Sequence, residues 1–160
     1  MDDLLPLLLA RNDGVVNARE LAGAGLDGHG IRAAVRRHEL VRVRSGAFVG
    51  GDAWSAADVV GRHVLTTRAM ARRLDRYAVS HVSAVAVWEL PVVAADLGPV
   101  HMCPVGSGQS RSAGPLRVHP AVGVDDVVHR HGVAVVRVEV AVLQTAEGSF
   151  APVWSPPTQL

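Results

Sequence analysis

The amino-acid sequence predicts an α+β protein, and three observations support this fold class. Residues 2–38 contain three short helical segments separated by glycine-containing turns. Residues 40–49 alternate apolar and basic side chains before a Ser-Gly pair and then return as an apolar run, which is typical of a strand hairpin. Residues 52–138 mix helical and strand-like segments, as in small domains that combine both element types.

The composition is that of a globular chain whose basic residues are all arginine. With 160 residues, of which 49% are hydrophobic and 19% charged, the chain has room for one ordinary domain or for a small domain and a modest second one. Lysine is absent. This excludes a Walker-type phosphate lysine, a Schiff-base lysine and a Ser-Lys dyad.

The cysteine content and the apolar runs predict a cytoplasmic protein. Cys103 is the only cysteine, so an intramolecular disulfide cannot form and nothing indicates an oxidising compartment. The apolar run at 4–9 follows two aspartates and contains Pro6, unlike a signal peptide. No run approaches the roughly 18 apolar residues of a membrane span, so we expect no membrane partner.

The first two helical segments carry recognisable ends. Residues 2–11 begin with aspartates and end at Arg11, which suits the helix dipole, and Asn12-Asp13-Gly14 predicts a turn. Asn17 is followed three residues later by Glu20, which predicts a capping box at the start of the second helix.

The third helical segment leads directly into the hairpin. Asp27 is expected to cap a helix over about 28–38, after a tight turn at Gly25 to Gly28. Residues 40–44 form the first strand, Ser45-Gly46 the turn, and 47–49 the second strand. Three helices followed by a two-stranded wing predict a winged helix-turn-helix over residues 1–51.

The predicted DNA-binding residues lie on the third helix and the wing. Arg32 and Arg36 are four residues apart and share one helix face. Arginine suits this role because its planar fork contacts phosphates or guanine edges in pairs. A solvated cationic face is the alternative, and some of these arginines are expected to pair with Glu20 or Glu39. The predicted DNA contacts are Arg32, Arg36, Arg37, Arg42 and Arg44.

Residues 52–138 predict a second, small α+β domain. We expect one long helix from about Ser55 to Arg76, with Ser55 as its cap, and a later helix that ends at Pro91. Strands are expected around them, with G-S-G-Q-S as a hairpin tip. The arginines of the long helix are interpreted as packing or surface residues that pair with Asp58 and Asp75, and an extension of the DNA surface is the alternative.

Patterns that suggest metal binding or catalysis are weak. His129 and His131, like His101 and Cys103, are two residues apart, but structural zinc sites need two clusters of paired ligands. Ser80 and His81 are adjacent and point to opposite faces of a strand, so we expect Ser80 or Ser83 to cap a helix instead. We predict no enzyme activity, no catalytic residue, no cofactor and no metal.

Two regions together resemble the AbiEi-type antitoxins of type IV toxin–antitoxin systems. The N-terminal match is D-G-V-V-N-A-R-E-L-A-G-A-G-L followed by I-R-A-A-V-R-R-H-E-L-V-R-V-R-S-G-A-F-V. S-H-V-S-A-V-A-V-W-E-L-P-V is similar to that family's Ser-His-x-Ser-Ala segment before Gly-Leu-Pro, and L-R-V-H-P-A, D-D-V and H-G-V-A-V resemble its later strands. The resemblance covers about residues 4–138.

The resemblance implies a cytoplasmic DNA-binding transcriptional regulator. Such a protein represses its own operon by binding the promoter as double-stranded DNA through the winged helix. It also counters a toxin of the nucleotidyltransferase class without necessarily touching it. The alternative is a protein-interaction module, or the remnant of a longer protein that has lost the Vsr-like endonuclease domain carried by some relatives.

The sequence departs from the family pattern in two places. Trp88-Glu89 stands where the family tends to have a small residue and Gly before Leu-Pro. After Val138 the family has a helix that opens Thr-x-x-Asp-Leu-Ala, whereas residues 139–160 are Pro-rich and show no helical periodicity. We interpret 139–160 as an atypical tail produced by a truncation or a frameshift.

Overall fold

The computed structural model describes residues 4–93 and 95–149 and confirms the α+β class. The strands form two sheets, one three-stranded in the order β1-β3-β2 and one six-stranded in the order β6-β7-β5-β4-β9-β8. The first elements are α1 (Leu4–Arg11), β1 (Val15–Asn17), α2 (Ala18–Gly23), α3 (Gly28–Arg36), β2 (Leu40–Arg44), β3 (Ala47–Gly50), α4 (Gly51–Ala56) and α5 (Val59–Ala71). The later ones are β4 (Tyr77–Val79), α6 (His81–Val87), β5 (Val100–Pro104), β6 (Arg111–Ala113), β7 (Leu116–Val118), a 3₁₀ turn (Val124–Asp126), β8 (Val127–Arg130), β9 (Val133–Val136) and α7 (Val138–Ser149).

The predicted caps of α2 and α3 are confirmed. The Asn17 side chain accepts a hydrogen bond from the Glu20 amide at 2.9 Å, and the Glu20 carboxylate accepts one from the Asn17 amide at 2.8 Å. Asp27 accepts from the Gly30 amide at 2.8 Å and so caps α3. Each cap satisfies amides that have no partner within the helix and contributes about 1 kcal/mol to its stability.

The three-stranded sheet includes β1, which the sequence pattern did not predict. Val15 and Val16 are fully buried, and β1 pairs antiparallel with β3. Three residues are too few to show a strand period, so β1 depends on its partner strand rather than on a local signal. The sheet has apolar cores on both faces. One lies against α1, α2 and α3, and the other against α5.

The expected long helix over 55–76 is interrupted, and this prediction was wrong in its bounds. Ala57 adopts an extended conformation (φ −83°, ψ 139°), which ends α4. Asp58 then accepts a hydrogen bond from the Gly61 amide at 2.8 Å, so Asp58 rather than Ser55 caps α5. Gly51 begins α4 where the chain passes so close to His38 that a β-carbon would lie 1.8 Å from the His38 carbonyl oxygen.

The six-stranded sheet holds the larger core. β4 lies between β5, with which it pairs antiparallel, and β9, with which it pairs parallel. G-S-G-Q-S is not a hairpin tip, because it joins β5 to β6 and β7 lies between those two strands. The hairpin is formed instead by β6 and β7, which are antiparallel neighbours.

The start of the predicted tail is helical, which corrects the expectation for residues 139–149. α7 packs mainly against α6, and Ala141 is fully buried. The valines of α7 give it little intrinsic helix preference, so tertiary packing decides the conformation. Residues 150–160 lie outside the described part. None of the helices described is long and apolar enough to span a membrane.

Candidate nucleic-acid interface

The outer face of α3 carries two unobstructed arginines. α3 follows α2 across a turn in which Gly25 adopts a positive φ of 86°. Ala34 is buried and Ile31 and Val35 pack against the same core, so the opposite face of α3 points outward. The exposed side chains on that face are His29, Arg32 and Arg36.

Arg37 shares its charge with Glu39. Its Nε and Nη2 groups donate to the two carboxylate oxygens at 2.8 and 2.9 Å. This hydrogen-bonded contact lowers the pKa of Glu39. The expected pairing with Glu39 is therefore confirmed, and Arg37 presents a partly neutralised charge. Glu20 instead binds Arg72, which directly follows α5.

A bulge in β2 separates Arg42 from Arg44. In a regular strand, residues two apart share a face. Here Arg42 is paired with Phe48 and Arg44 with Ala47, and the register shifts between the two pairs. Phe48 and Ala47 are neighbours on β3 and point to opposite faces, so Arg42 and Arg44 do as well.

Arg42 and Arg44 consequently differ in exposure. Arg42 is exposed. It lies on the same sheet face as Phe48, which is the face that packs against α1, α2 and α3. Arg44 is half-buried on the face toward α5, and its Nη1 donates to the Val43 carbonyl at 3.0 Å. Among the predicted contacts, Arg44 is thus the one least able to reach a ligand in front of α3.

Arginines at the end of α5 and just after it support this region from behind, a role that sequence reasoning missed. Arg72 donates to the Glu20 carboxylate, and Arg73 donates to the Ser45 carbonyl in the β2–β3 turn. Arg68 is buried and donates to the Asp13 carbonyl at 3.2 Å. These partners lie 28 to 55 residues away in sequence, so no local pattern could indicate them. The expected partner Asp58 caps α5 instead.

Hydrogen bonds also connect several polar side chains next to the six-stranded sheet. His63 Nδ1 lies 2.9 Å from the Leu97 carbonyl oxygen and must donate to it, which leaves Nε2 as an acceptor. The Ser83 hydroxyl, 2.9 Å from Nε2, therefore donates to His63 and accepts from the His101 amide at 3.0 Å. Burial lowers the pKa of His63 and so favours this neutral tautomer. Ser83 thus connects α5 to β5 through hydrogen bonds and does not cap α6.

Three further histidines form a stack. The rings of His81 and His119 have centroids 3.5 Å apart, and His101 Nδ1 lies 2.8 Å from His119 Nε2. Burial lowers the pKa of His81 and of His101 to about 4, and proximity to His119 contributes to both shifts. The His81 ring also contacts its neighbour Ser80, with Nδ1 3.1 Å from Oγ, which corrects the expectation that these side chains do not meet. Ser80 occupies the cap position of α6 without a side-chain cap bond.

Neither the His129–His131 pair nor the His101–Cys103 pair belongs to a group of metal-ligating side chains among the described residues. His129 lies on β8 and His131 in the following turn with a positive φ of 50°. Cys103 is fully buried, and burial raises the pKa of its thiol to about 11. Within residues 4–93 and 95–149, no group of three or more His, Cys, Asp or Glu side chains is arranged to hold a metal ion.

No protein-family model matches the chain, and no curated protein matches it significantly. The function is therefore inferred from the surface that contains α3 and the β2–β3 hairpin. We call the exposed side chains Arg32, Arg36 and Arg42 the outer arginines.

Proposed function

We propose that the protein is a DNA-binding transcriptional regulator that contacts double-stranded DNA through α3 and the β2–β3 hairpin. The observation that carries this proposal is the position of the outer arginines. They lie exposed on a short helix that follows a tight turn, and on the hairpin strand that comes directly after that helix. A helix of this kind fits the major groove of DNA, and an adjoining hairpin reaches the flanking backbone.

The outer arginines have different roles in this proposal. Arg32 and Arg36, one helical turn apart, face the major groove, where an arginine fork can bind guanine O6 and N7. Arg42 binds a phosphate and so positions the protein rather than selecting a sequence. Arg37 contributes less because Glu39 already holds its guanidinium group.

The biological role follows from the resemblance to AbiEi-type antitoxins. We propose that the DNA is the protein's own promoter, that the protein represses its own operon in the cytoplasm, and that it counters a nucleotidyltransferase toxin. The similarity of D-G-V-V-N-A-R-E-L-A-G-A-G-L and of S-H-V-S-A to that family supports this role. A nucleotidyltransferase gene beside this one would add to that support.

A gel shift with the DNA upstream of the gene tests the proposal. Arg36→Ala and Arg42→Ala should each weaken binding about tenfold, since a charged hydrogen bond to DNA contributes about 1–3 kcal/mol. Arg111→Ala is the matched control, because Arg111 is an exposed arginine on β6 of the other sheet. Equal affinities for Arg36→Ala, Arg42→Ala and Arg111→Ala would overturn the assigned face.

A further inference from the structure

A groove lies between β2, α4, the start of α5 and the segment 95–98. We call it the arginine groove. Its volume is about 650 Å³, within the range of about 300–1,000 Å³ that is usual for small-molecule sites. The side chains that define its character are Arg42, Arg44, Trp54, Arg62, His63 and Asp96.

Arg44 brings an unsatisfied donor to this groove. Its Nε is buried and has no hydrogen-bond partner among the described residues, although its Nη1 donates to the Val43 carbonyl. A buried donor without a partner costs about 1–3 kcal/mol. An anion within hydrogen-bond distance of Arg44 Nε would accept a hydrogen bond from it and so remove that cost.

Arg62 is held beside an aromatic wall. Its guanidinium carbon lies 5.3 Å from the Trp54 ring centroid, and its Nε donates to the Trp54 carbonyl at 3.2 Å. These contacts reduce the freedom of the side chain and leave its terminal amino groups for a ligand. Val41, Val43 and Val59 add apolar surface to the same groove.

The remaining wall is fixed by His63. Its Nδ1 hydrogen bond to the Leu97 carbonyl ties the segment 95–98 to α5, and its neutral form adds no charge. Among the described residues, Asp96 is the one acid that lines the groove, and its carboxylate accepts a hydrogen bond from the Gly98 amide at 2.8 Å. Three arginines and one aspartate therefore give the groove a net positive charge of 3 − 1 = +2.

We propose that the arginine groove binds a phosphorylated organic molecule of nucleotide size. The phosphate is bound by Arg44 and Arg62, whose planar forks match its oxygens. The organic part lies along Trp54 and the valines. This site differs from the proposed DNA surface because Arg32 and Arg36 do not line it, although Arg42 belongs to both.

Calorimetric titration of the full chain tests this proposal, with adenosine monophosphate, guanosine monophosphate, adenosine and inorganic phosphate as probes. At least one of the two nucleotides should bind at least tenfold more tightly than adenosine or inorganic phosphate. Arg44→Gln and Arg62→Gln should each weaken that nucleotide's binding about tenfold, because each removes a charged hydrogen bond. Arg111→Gln should leave it unchanged.

A gain-of-affinity variant guards against loss through misfolding. Asp96→Asn keeps the acceptor for the Gly98 amide and removes the opposing charge, so it should tighten nucleotide binding about two- to fivefold. Failure of both nucleotides to bind at millimolar concentration would overturn the proposal, as would binding that none of the groove variants changes. If Arg44→Gln instead weakens DNA binding as much as Arg36→Ala does, the groove belongs to the DNA surface and the nucleotide site is wrong. Loss of DNA binding in Arg36→Ala with nucleotide binding intact would separate the two sites.

Discussion

At the scale of single residues, burial and partners divide the arginines into functional classes. Arg36 is exposed at the end of α3, whereas Arg72 is largely buried and joined to Glu20. The sequence predicted that some of the arginines pair with Glu20 or Glu39, and Arg37 does bind Glu39, which is two residues away. It could not predict the contact of Arg72 with Glu20, which spans 52 residues.

Glu20 should be the most important carboxylate for stability at this scale. It completes the capping box of α2 and binds the partly buried Arg72. Removing one partner of such a pair leaves a charge without compensation, so Glu20→Ala should lower the free energy of unfolding by about 2–4 kcal/mol in urea titrations. Glu139→Ala is the control, since its pair with Arg137 is exposed, and should cost about 0.5 kcal/mol or less. Equal losses in both variants would refute this ranking.

The histidine stack should make stability depend on pH in an acidic window. His81 and His101 have pKa values near 4 in the fold, below the ordinary value of 6.5. The unfolded chain therefore binds more protons between these values, and stability falls as pH decreases from about 6.5 toward 4, by up to about 1.4 kcal/mol per pH unit for each proton. Above that window, these two histidines contribute no pH dependence.

Urea denaturation across that window measures the contribution of the stack. His81→Asn should flatten the pH dependence, because it removes one of the titrating rings while asparagine tolerates the positive φ of 50° at this position. His131→Asn provides a control in a half-exposed turn that also has a positive φ. A slope in His81→Asn as steep as that of the unmodified protein would contradict the assignment.

At the scale of elements, four helices end in the same way. After α1, α2, α3 and α6, the residues Asp13, Gly25, His38 and Glu89 adopt positive φ values of 50°, 86°, 62° and 60°. In each case the next amide bonds back to the helix, as from Leu90 to the Val85 carbonyl at 3.2 Å. This is the Schellman arrangement, which favours glycine at the residue with positive φ. Glu89 stands where the resembled family tends to have glycine, so the departure from that pattern has a conformational cost.

Glu89→Gly should therefore stabilise the protein. Relief of the left-handed conformation contributes about 1 kcal/mol, and the exposed contact with Arg130 at 3.6 Å contributes little against it. Thermal and urea denaturation should show a net gain of about 0.5–1 kcal/mol. The reverse change Gly25→Ala should cost about 1 kcal/mol at the equivalent position after α2. Destabilisation by Glu89→Gly would show that the Arg130 contact outweighs the backbone conformation.

Local capping signals predicted part of the element pattern, and tertiary packing determined the rest. Asn17 and Asp27 were correctly predicted as caps because their partners lie three residues away. β1 and α7 were missed because each depends on packing against a distant element. The bulge in β2 was missed for a similar reason, since the sequence L-V-R-V-R alternates regularly and the register shift exists only relative to β3.

At the scale of the whole molecule, α5 joins the two sheets. It contacts β1, β2 and β3 on one side and α6, β4, β5 and β9 on the other. Arg68 of α5 reaches the α1–β1 turn, and Arg72 and Arg73, just after α5, reach the Glu20 carboxylate and the Ser45 carbonyl. The surface that contains α3 and the hairpin is therefore supported from behind by this helix and its end, which would hold the proposed DNA-binding face rigid.

The salt dependence of DNA binding is the most direct test of the proposed DNA surface on α3 and the β2–β3 hairpin. Each phosphate contact contributes about 0.9 to the slope of log K against log salt concentration. The double variant Arg36→Ala, Arg42→Ala should bind the upstream DNA more weakly than the unmodified protein, with a slope smaller by about 0.9, because Arg42 is the phosphate contact of the pair. The matched double variant Arg111→Ala, Arg117→Ala, on the β6–β7 hairpin of the other sheet, should keep both affinity and slope. Unchanged DNA affinity in the first double variant, or an equal loss of affinity in the second, would show that α3 and the β2–β3 hairpin do not bind the DNA.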